Sequence, residues 1–200
     1  MNKTWISLAF ASGAAFLALA LAQHYAPGLV RAVDIPVATL LSPLQTFSYV
    51  QGFLVVTTFG DVVGIVAIAL GAAVLLRHHP SLVQRLIIAL VGSTITTNVV
   101  KVLVSRTRPE TLLWLNPFLS FSFPSGHATA SMALFGFLAV ASARLQQGRR
   151  HFISVALCIL IILLVGLSRL ALGAHFFSDV IGGWLLGLFW VALAFSFKRG

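Results

Sequence analysis

Charged residues are scarce in this sequence, and acidic ones most of all. Four Asp and Glu stand beside thirteen Lys and Arg, charged residues make up 8% of the chain, and hydrophobic residues make up 59%. Soluble domains carry about 25% charged residues, so this composition excludes an ordinary soluble protein and indicates a membrane protein. The net charge of +9 does not indicate a nucleic-acid binder, because the basic residues separate apolar runs and form no continuous stripe.

Cysteine is almost absent as well, with Cys158 as its one occurrence. One thiol cannot form a disulfide within the chain and cannot by itself build a metal cluster. The sequence therefore excludes a disulfide-stapled scaffold and a cysteine-based metal centre. Since Cys158 lies inside an apolar run, we expect it to pack against neighbouring helices.

Long apolar runs are abundant, and about 20 such residues let a helix cross the hydrocarbon core of a bilayer. Six runs approach or reach that length: 5–22, 62–76, 82–104, 127–143, 152–167 and 180–197. We predict an all-α fold, a six-transmembrane-helix bundle in which residues 1–200 form one domain. The first run could be taken for a signal peptide, but its length and the runs that follow favour a retained membrane helix. Segment 23–60 is moderately apolar and contains three prolines, so we expect an outer-face interfacial segment there.

The basic residues also predict the orientation of the bundle, because short cytoplasmic loops carry the excess of positive charge. If six helices alternate, one side collects most of the cations: Lys3, Arg77, Arg85, Arg144, Arg149, Arg150, Lys198 and Arg199. This predicts cytoplasmic N and C termini. Five cations fall on the other, outer side: Arg31, Lys101, Arg106, Arg108 and Arg169. An ionisable residue there is costly unless it is paired, hydrated or functional.

Two of the outer cations follow each other along the third predicted helix. Lys101 lies in the last turns of an apolar run, and Arg108 lies seven residues later, two helical turns along, so both can share one face. Arg108 directly precedes Pro109, where a helix must end. Taken alone, Lys101 could simply extend its ammonium group to the membrane interface.

The fourth predicted helix begins with a pattern suited to binding an anion. It is entered through Pro124-Ser125-Gly126-His127. Ser125 is a good N-cap, Gly126 lets a ligand approach the backbone, and the free N–H groups of a first turn attract negative charge. The alternative is ordinary capping by Ser125 beside a solvated His127.

A histidine and a carboxylate stand at the start of the sixth predicted helix. His175 and Asp179 are four residues apart, so a helical start brings the carboxylate within reach of the imidazole. An imidazole held at one nitrogen presents the other as a nucleophile or base. Arg169, after Ser168, adds a cation at the same membrane face. A structural His–Asp pair that closes a loop is the alternative interpretation.

Together these patterns resemble the three signature motifs of the type 2 phosphatidic-acid phosphatase superfamily. The motifs are Lys101-x6-Arg108-Pro109, Pro124-Ser125-Gly126-His127 and Ser168-Arg169-x5-His175-x3-Asp179, complete and in the family's order. The resemblance covers the last four predicted helices. Each motif is weak alone, but the three together on one predicted face are highly specific.

The resemblance implies a mechanism and a role for each motif residue. His175 would be the nucleophile that forms a phosphohistidine, oriented by Asp179, and His127 the general acid for the leaving oxygen and then the activator of water. The phosphoryl oxygens would be bound by Lys101, Arg108, Ser125, Gly126 and Arg169. Fixed cations would take the place of a metal ion, so no cofactor is expected.

We expect the residues beside the motifs to have structural roles. Ser105, Arg106 and Glu110 are expected to pack in the loop after the third helix. Asp61 is expected to begin the second helix, although it could instead pair with a motif cation.

Three other kinds of protein fit parts of the pattern. An intramembrane serine hydrolase resembling rhomboid proteases would use Ser125 as nucleophile with His127 or His175 as base, but it has no need of several cations. A metal hydrolase with His127, His175 and Asp179 as ligands conflicts with the neighbouring cations. In a transporter or structural protein the charges would pair across helices, yet too few carboxylates are available for that.

The expected substrate is a lipid phosphate that stays in the bilayer, and the resemblance favours undecaprenyl diphosphate. Phosphatidylglycerol phosphate, phosphatidic acid and a lipid A phosphate are alternatives. The same resemblance predicts a bacterial inner membrane with the site on the periplasmic side, and no nucleic-acid partner. The sequence does not predict an oligomeric state.

Overall fold

The protein is described here from a computed structural model covering residues 3–45, 47–109 and 121–197, and helices account for most of them. Within these ranges eight α-helices follow in order: α1 (Lys3–Tyr25), α2 (Pro27–Leu41), α3 (Phe47–Thr57), α4 (Val62–Leu75), α5 (Pro80–Val104), α6 (Gly126–Leu145), α7 (Gly148–Ala171) and α8 (Phe177–Ser196). Short 3-10 turns occupy Ser42–Leu44 and Thr58–Gly60. No strand is found within these ranges, which confirms the predicted all-α class. Glu110 lies outside the described residues.

Among the residues that the structure describes, five helices are long and apolar enough to cross a membrane, namely α1, α5, α6, α7 and α8. Their ends lie within four residues of the predicted runs. The predicted run 62–76 forms α4 to within one residue, but α4 does not reach spanning length by itself. α4 has 14 residues, about 21 Å at 1.5 Å per residue, whereas the hydrocarbon core is about 30 Å thick. It reaches spanning length only together with Tyr49–Gly60, from which it is bent by 47°, and this pair raises the count to six.

The break before α4 has a local cause. Asp61 is the N-cap of α4, and its carboxylate accepts a hydrogen bond of 2.7 Å from the amide of Gly64. A capped start replaces the hydrogen bonds that would otherwise continue from the preceding helix. The prediction that Asp61 begins this helix is confirmed.

The segment predicted as interfacial, 23–60, contains several different elements. Its first three residues complete α1, and α2 and α3 follow. α2 exposes large apolar residues such as Leu29 and Leu40 while burying Asp34, and α3 belongs largely to the bent pair with α4. Most of the segment is helical, and its placement at a membrane surface stays a prediction.

α8 is the central helix of the bundle and packs against α1, α5 and α6. Two glycines allow α6 to approach it closely, since a Cβ at Gly183 or Gly187 would lie 2.7 Å from a backbone oxygen of α6 or its N-cap. The core between these helices includes Leu134, Phe137 and Phe195. This packing brings the ends of α5 and α7 to the same end of the bundle as the starts of α6 and α8.

Candidate active site

His175 and Asp179 lie side by side at the start of α8. His175 Nδ1 is 3.6 Å from Asp179 Oδ2, close enough for an ion pair and slightly long for a hydrogen bond. Asp179 is fully buried, and His175 is 4% exposed. The i,i+4 spacing therefore produces the contact that the sequence predicted.

Asp179 is also bound by three other groups. Its Oδ2 accepts hydrogen bonds from Ser122 Oγ, at 2.5 Å, and from the amide of Phe176, at 2.9 Å. Its Oδ1 accepts one from Arg106 Nη1, at 2.7 Å. A carboxylate with this many donors is fixed in orientation and stabilised in its charged form. Ser122 lies two residues before Pro124, outside the predicted motif, and sequence analysis did not identify it.

The second nitrogen of His175 faces a cation. Arg108 Nη1 lies 3.5 Å from His175 Nε2 and donates a hydrogen bond of 3.1 Å to the carbonyl of Ala174. A guanidinium has only N–H donors, so its position favours a lone pair on Nε2 and the proton on Nδ1, toward Asp179. This is the tautomer that a nucleophilic imidazole needs.

Burial lowers the pKa of both of these groups. It lowers the pKa of His175 from 6.5 to about 4, and Arg169 and Arg108 act in the same direction, while Asp179 raises it. Burial also lowers the pKa of the Arg108 guanidinium, which stays charged at neutral pH. His175 is therefore a neutral base beside a permanent cation.

Lys101 and Arg169 complete the group of motif cations, and both are buried. Lys101 donates to the carbonyl of Phe121. Arg169 Nη1 donates to Thr57 Oγ1 at 2.7 Å, and its Nε has no hydrogen-bond partner in the described part of the chain. Buried cations next to uncharged oxygens leave positive potential for an anion.

The start of α6 brings the second motif against the third. Ser125 is the N-cap of α6, as predicted, and its amide donates a hydrogen bond of 3.0 Å to the carbonyl of Asp179. His127 packs against Gly60, where a Cβ would lie 3.2 Å from the His127 Cβ. The imidazole of His127 lies close enough to the Lys101, Arg108 and Arg169 cations for their charges to act on it. The predicted site residues thus converge on one place.

The expectation that Arg106 is loop packing is wrong. Its guanidinium bonds two buried carboxylates, Asp34 at 2.6 Å and Asp179 at 2.7 Å. Asp34, on α2, was not identified by sequence analysis either. The available signal was an acid in an apolar helix, which needs a partner. The expectation failed because the partners lie 72 and 73 residues from Arg106.

Two cavities reach the site. A groove of about 470 Å³ extends from Lys101, Gly126 and His127 between α4, α5 and α6. Its deeper walls are apolar, and they include Ile65, Ala69, Leu90 and Ala130. A second cavity of about 320 Å³ reaches His175 from the side of α2, where Thr39, Ser42 and Gln45 contribute polar groups.

A metal centre was one of the alternatives considered from the sequence. Within the ranges that the structure describes, no group of three or more His, Cys, Asp or Glu side chains is placed to hold a metal ion. The three histidine and aspartate ligands of that hypothesis lie among cations, which repel a divalent ion. The expected independence of metals stays a prediction.

Comparison with known proteins places this site in a family. Residues 82–200, more than half of the chain, match the model of the PAP2 superfamily. A PA-phosphatase related-family protein of Dictyostelium discoideum is 38% identical over 73 residues, which are 34% of this chain and 22% of that protein. Phosphatidylglycerophosphatase B of Bacillus subtilis is 35% identical over 94 residues, 45% of each chain. The chain thus aligns with less than half the length of these relatives.

Two solved structures have the same fold. The crystal structure of a transmembrane PAP2 type phosphatidylglycerolphosphate phosphatase from Bacillus subtilis has a TM-score of 0.80 at 22% identity and covers 94% of each chain. That of Aquifex aeolicus LpxE has a TM-score of 0.68 at 21% identity, covering 82% of this chain and 95% of that one. The family match extends from α5 to α8, and the three motifs lie together in one site. The chain therefore belongs to the PAP2 superfamily.

Proposed function

We propose that this protein is a metal-independent phosphatase that hydrolyses the phosphate or diphosphate headgroup of a membrane lipid through a phosphohistidine intermediate. The observation that carries the proposal is the placement of His175. Its Nδ1 faces the Asp179 carboxylate at 3.6 Å, and its Nε2 faces Arg108 at 3.5 Å. A nucleophilic nitrogen aimed at a cation fits a reaction with an anionic phosphoryl group.

In the first step, the lone pair of His175 Nε2 attacks phosphorus and the bond to the lipid oxygen breaks. Asp179 stabilises the positive charge that develops on the imidazole. His127 donates a proton to the leaving oxygen, and the two negative charges of a bound phosphoryl group favour the protonated form of His127. Lys101, Arg108 and Arg169 neutralise the phosphoryl oxygens.

In the second step, water attacks the phosphorus of the phosphohistidine. His127, now neutral, takes a proton from the water as the N–P bond breaks, and the pair of electrons returns to His175 Nε2. The products are inorganic phosphate, the lipid and the original enzyme. The polar cavity beside His175 is a route for water and phosphate on the side away from the groove.

The groove between α4, α5 and α6 fits the lipid tail. It begins at Lys101 and His127 and reaches Leu90, eleven residues before Lys101 and therefore about 16 Å deeper along α5. Val62, Val66, Val91 and Ile95 line the groove and are each at least half exposed. A groove with an exposed flank lets a substrate enter from the bilayer while its tail stays among apolar side chains.

Two lipids are the leading substrate candidates. Undecaprenyl diphosphate follows from the sequence resemblance, and the apolar groove suits a long isoprenoid chain. Phosphatidylglycerophosphate is favoured by the relatives from Bacillus subtilis, whose names give this substrate. Both place a terminal phosphate at the membrane surface, where the motif cations would bind it.

We further propose that the protein lies in a bacterial inner membrane with cytoplasmic termini and the site on the periplasmic side. The excess of Lys and Arg at the opposite helix ends supports this orientation. Labelling of single introduced cysteines from each side of intact vesicles tests it.

Phosphate release by the purified chain tests the function itself. The panel contains undecaprenyl diphosphate, phosphatidylglycerophosphate, phosphatidic acid and a lipid A phosphate, each assayed with and without a chelator. We expect release that survives chelation and vanishes in His175→Ala, with acid-labile, alkali-stable labelling of the native enzyme by ³²P substrate. Equal activity of His175→Ala and the native chain would rule out the mechanism. Much slower turnover of undecaprenyl diphosphate than of the other lipids would exclude it as the substrate.

A further inference from the structure

Arg106 connects two carboxylates that come from distant parts of the chain. Its Nη2 donates to Asp34 Oδ2 at 2.6 Å, and its Nη1 donates to Asp179 Oδ1 at 2.7 Å. Asp34 is 1% exposed and Asp179 is fully buried. A single guanidinium therefore holds the carboxylate beside His175 to a carboxylate on α2.

Asp34 also binds the first turn of α8. Its Oδ1 accepts a hydrogen bond of 2.8 Å from the amide of Ser178, and its Oδ2 accepts one of 2.7 Å from Ser178 Oγ. The first N–H groups of a helix have no partner within the helix, and a carboxylate there is favoured by the helix dipole. Asp34 thus caps α8 from another helix, in the turn that contains Asp179.

Arg106 itself is held from three sides. Its guanidinium lies 4.2 Å from the centre of the Phe176 ring, a cation–π contact, and donates to Ser178 Oγ at 2.7 Å. Its backbone carbonyl accepts a hydrogen bond of 2.8 Å from the amide of Ser122, whose hydroxyl also binds Asp179. The planar fork of an arginine held in this way fixes the direction of each carboxylate it bonds.

The two oxygens of Asp179 therefore have separate partners. Oδ1 is bonded to Arg106, which leaves Oδ2 directed at Ser122 and at His175 Nδ1. Rotation of the carboxylate would break the arginine bond and turn Oδ2 away from the imidazole. We infer that Arg106, anchored by Asp34 of α2, is a positioning residue that holds Asp179 in the orientation needed to direct His175. This inference rests on the proposed role of His175 as the nucleophile.

The test compares kcat, KM and the inhibition constant of inorganic phosphate for the purified full-length chain and its variants. We expect Arg106→Gln to lower kcat about 10- to 100-fold, by analogy with the losses caused when a partner that orients a metal-ligating side chain is removed. KM and phosphate inhibition should change little, because Lys101, Arg108 and Arg169 are intact. Asp34→Asn should act in the same direction. The loss in the double variant should be smaller than the product of the two single losses, since Asp34 and Arg106 share one contact.

Two variants separate positioning from simple loss of charge. Arg106→Lys keeps the charge but is a point donor that cannot bond both carboxylates in fixed directions, so its kcat should lie between those of the native chain and Arg106→Gln. Arg31→Gln makes the same chemical change at an exposed site on α2 and should leave kcat unchanged. If Arg106→Gln fails to fold, Asp34→Asn and Arg106→Lys test the same link.

Three results would overturn the inference. One is a native kcat in folded Arg106→Gln. Another is phosphate inhibition weakened as much as kcat, which would make Arg106 a substrate-binding cation. The third is a double variant in which the two losses multiply. Activity that persists in His175→Ala would instead refute the proposed mechanism, so the two failures are distinguishable.

Discussion

The amide of Ser125 donates a hydrogen bond of 3.0 Å to the carbonyl of Asp179. This single bond joins the first turn of the helix that carries His127 to the first turn of the helix that carries Asp179. His127 and the His175–Asp179 pair therefore keep a fixed separation only while α6 and α8 stay in close contact. Gly183 permits that contact, because a Cβ there would lie 2.7 Å from Ser125 O and 2.8 Å from Ala128 Cβ.

Gly183→Ala should therefore reduce both activity and stability. The added methyl group forces α6 and α8 apart where His127 and His175 must act together, and such overpacking costs about 1 to 3 kcal/mol. Thermal unfolding in detergent and kcat measure the two effects. Gly71→Ala on α4 is the control, since a Cβ there meets nothing within 4 Å. Equal behaviour of the two variants would show that the close contact does not matter.

Asp179→Asn should lower kcat much more than it raises KM. The amide keeps the shape of the side chain but cannot stabilise an imidazolium, and loss of the orienting carboxylate in a serine-protease triad costs about 10⁴-fold in kcat. Ser122→Ala should produce a smaller loss of the same kind, because Asp179 keeps its other donors. Rapid-quench measurement of a single turnover should show that both variants form the phosphoenzyme more slowly than the native chain. A loss confined to KM would contradict the proposed role.

The imidazole of His175 should be neutral throughout the physiological pH range. Burial lowers its pKa to about 4, with Arg169 and Arg108 adding to the effect and Asp179 opposing it. NMR titration of ring-labelled protein, with the His175 signal assigned by its absence in His175→Gln, should give a midpoint near that value. A midpoint at or above the ordinary 6.5 would contradict the burial of this group.

The same pKa predicts how stability depends on pH. Between pH 6.5 and about 4 the unfolded His175 binds a proton and the folded one does not. The free energy of unfolding should therefore decrease as the pH falls through this window. Denaturation of the native chain and of His175→Gln at several pH values measures the effect, and the variant should show a shallower decrease.

A large side chain in the groove should discriminate between long and short substrates. Ala69→Trp fills the groove between α4 and α5, below Lys101 and His127. We expect a higher KM for a long-chain lipid phosphate and little change for a short-chain analogue whose tail does not reach this depth. Leu70→Trp, at an exposed position on the same helix, should leave both substrates unaffected. Equal loss with both substrates would argue against a tail-binding groove.

Patterns within a single segment were the part of this protein that sequence predicted well. The six apolar runs predicted six of the eight helices found in the described ranges, because the length of such a run depends on local composition. The contact between His175 and Asp179, predicted from their i,i+4 spacing, is present in the structure, and so is the predicted N-cap at Ser125. Both features depend on residues within one or two helical turns of each other. The common location of the three motifs came from the resemblance and from counting helices, and not from any local pattern.

Contacts between distant segments were the part that sequence did not predict. Arg106 lies two residues from Arg108, yet its bonds to Asp34 and Asp179 exist only after α2 has folded against α8. Ser122 was overlooked because its hydroxyl acts on a residue 57 positions away. The bent pairing of α4 with Tyr49–Gly60 was not predicted, because a run of apolar residues does not show the angle of 47° at which the preceding helix joins it.

The shortness of α4 has a consequence for the lipids around the protein. By itself α4 exposes an apolar height of about 21 Å, and it reaches the height of the hydrocarbon core only with Tyr49–Gly60, from which it is bent by 47°. A change in bilayer thickness would therefore be met either by a change in that angle or by local deformation of the lipids, at a cost of fractions of a kcal/mol per Å. Because Gly60, Asp61 and Val62 at the bend also line the groove, bilayer thickness would alter the groove's mouth and with it the rate at which the protein captures lipid.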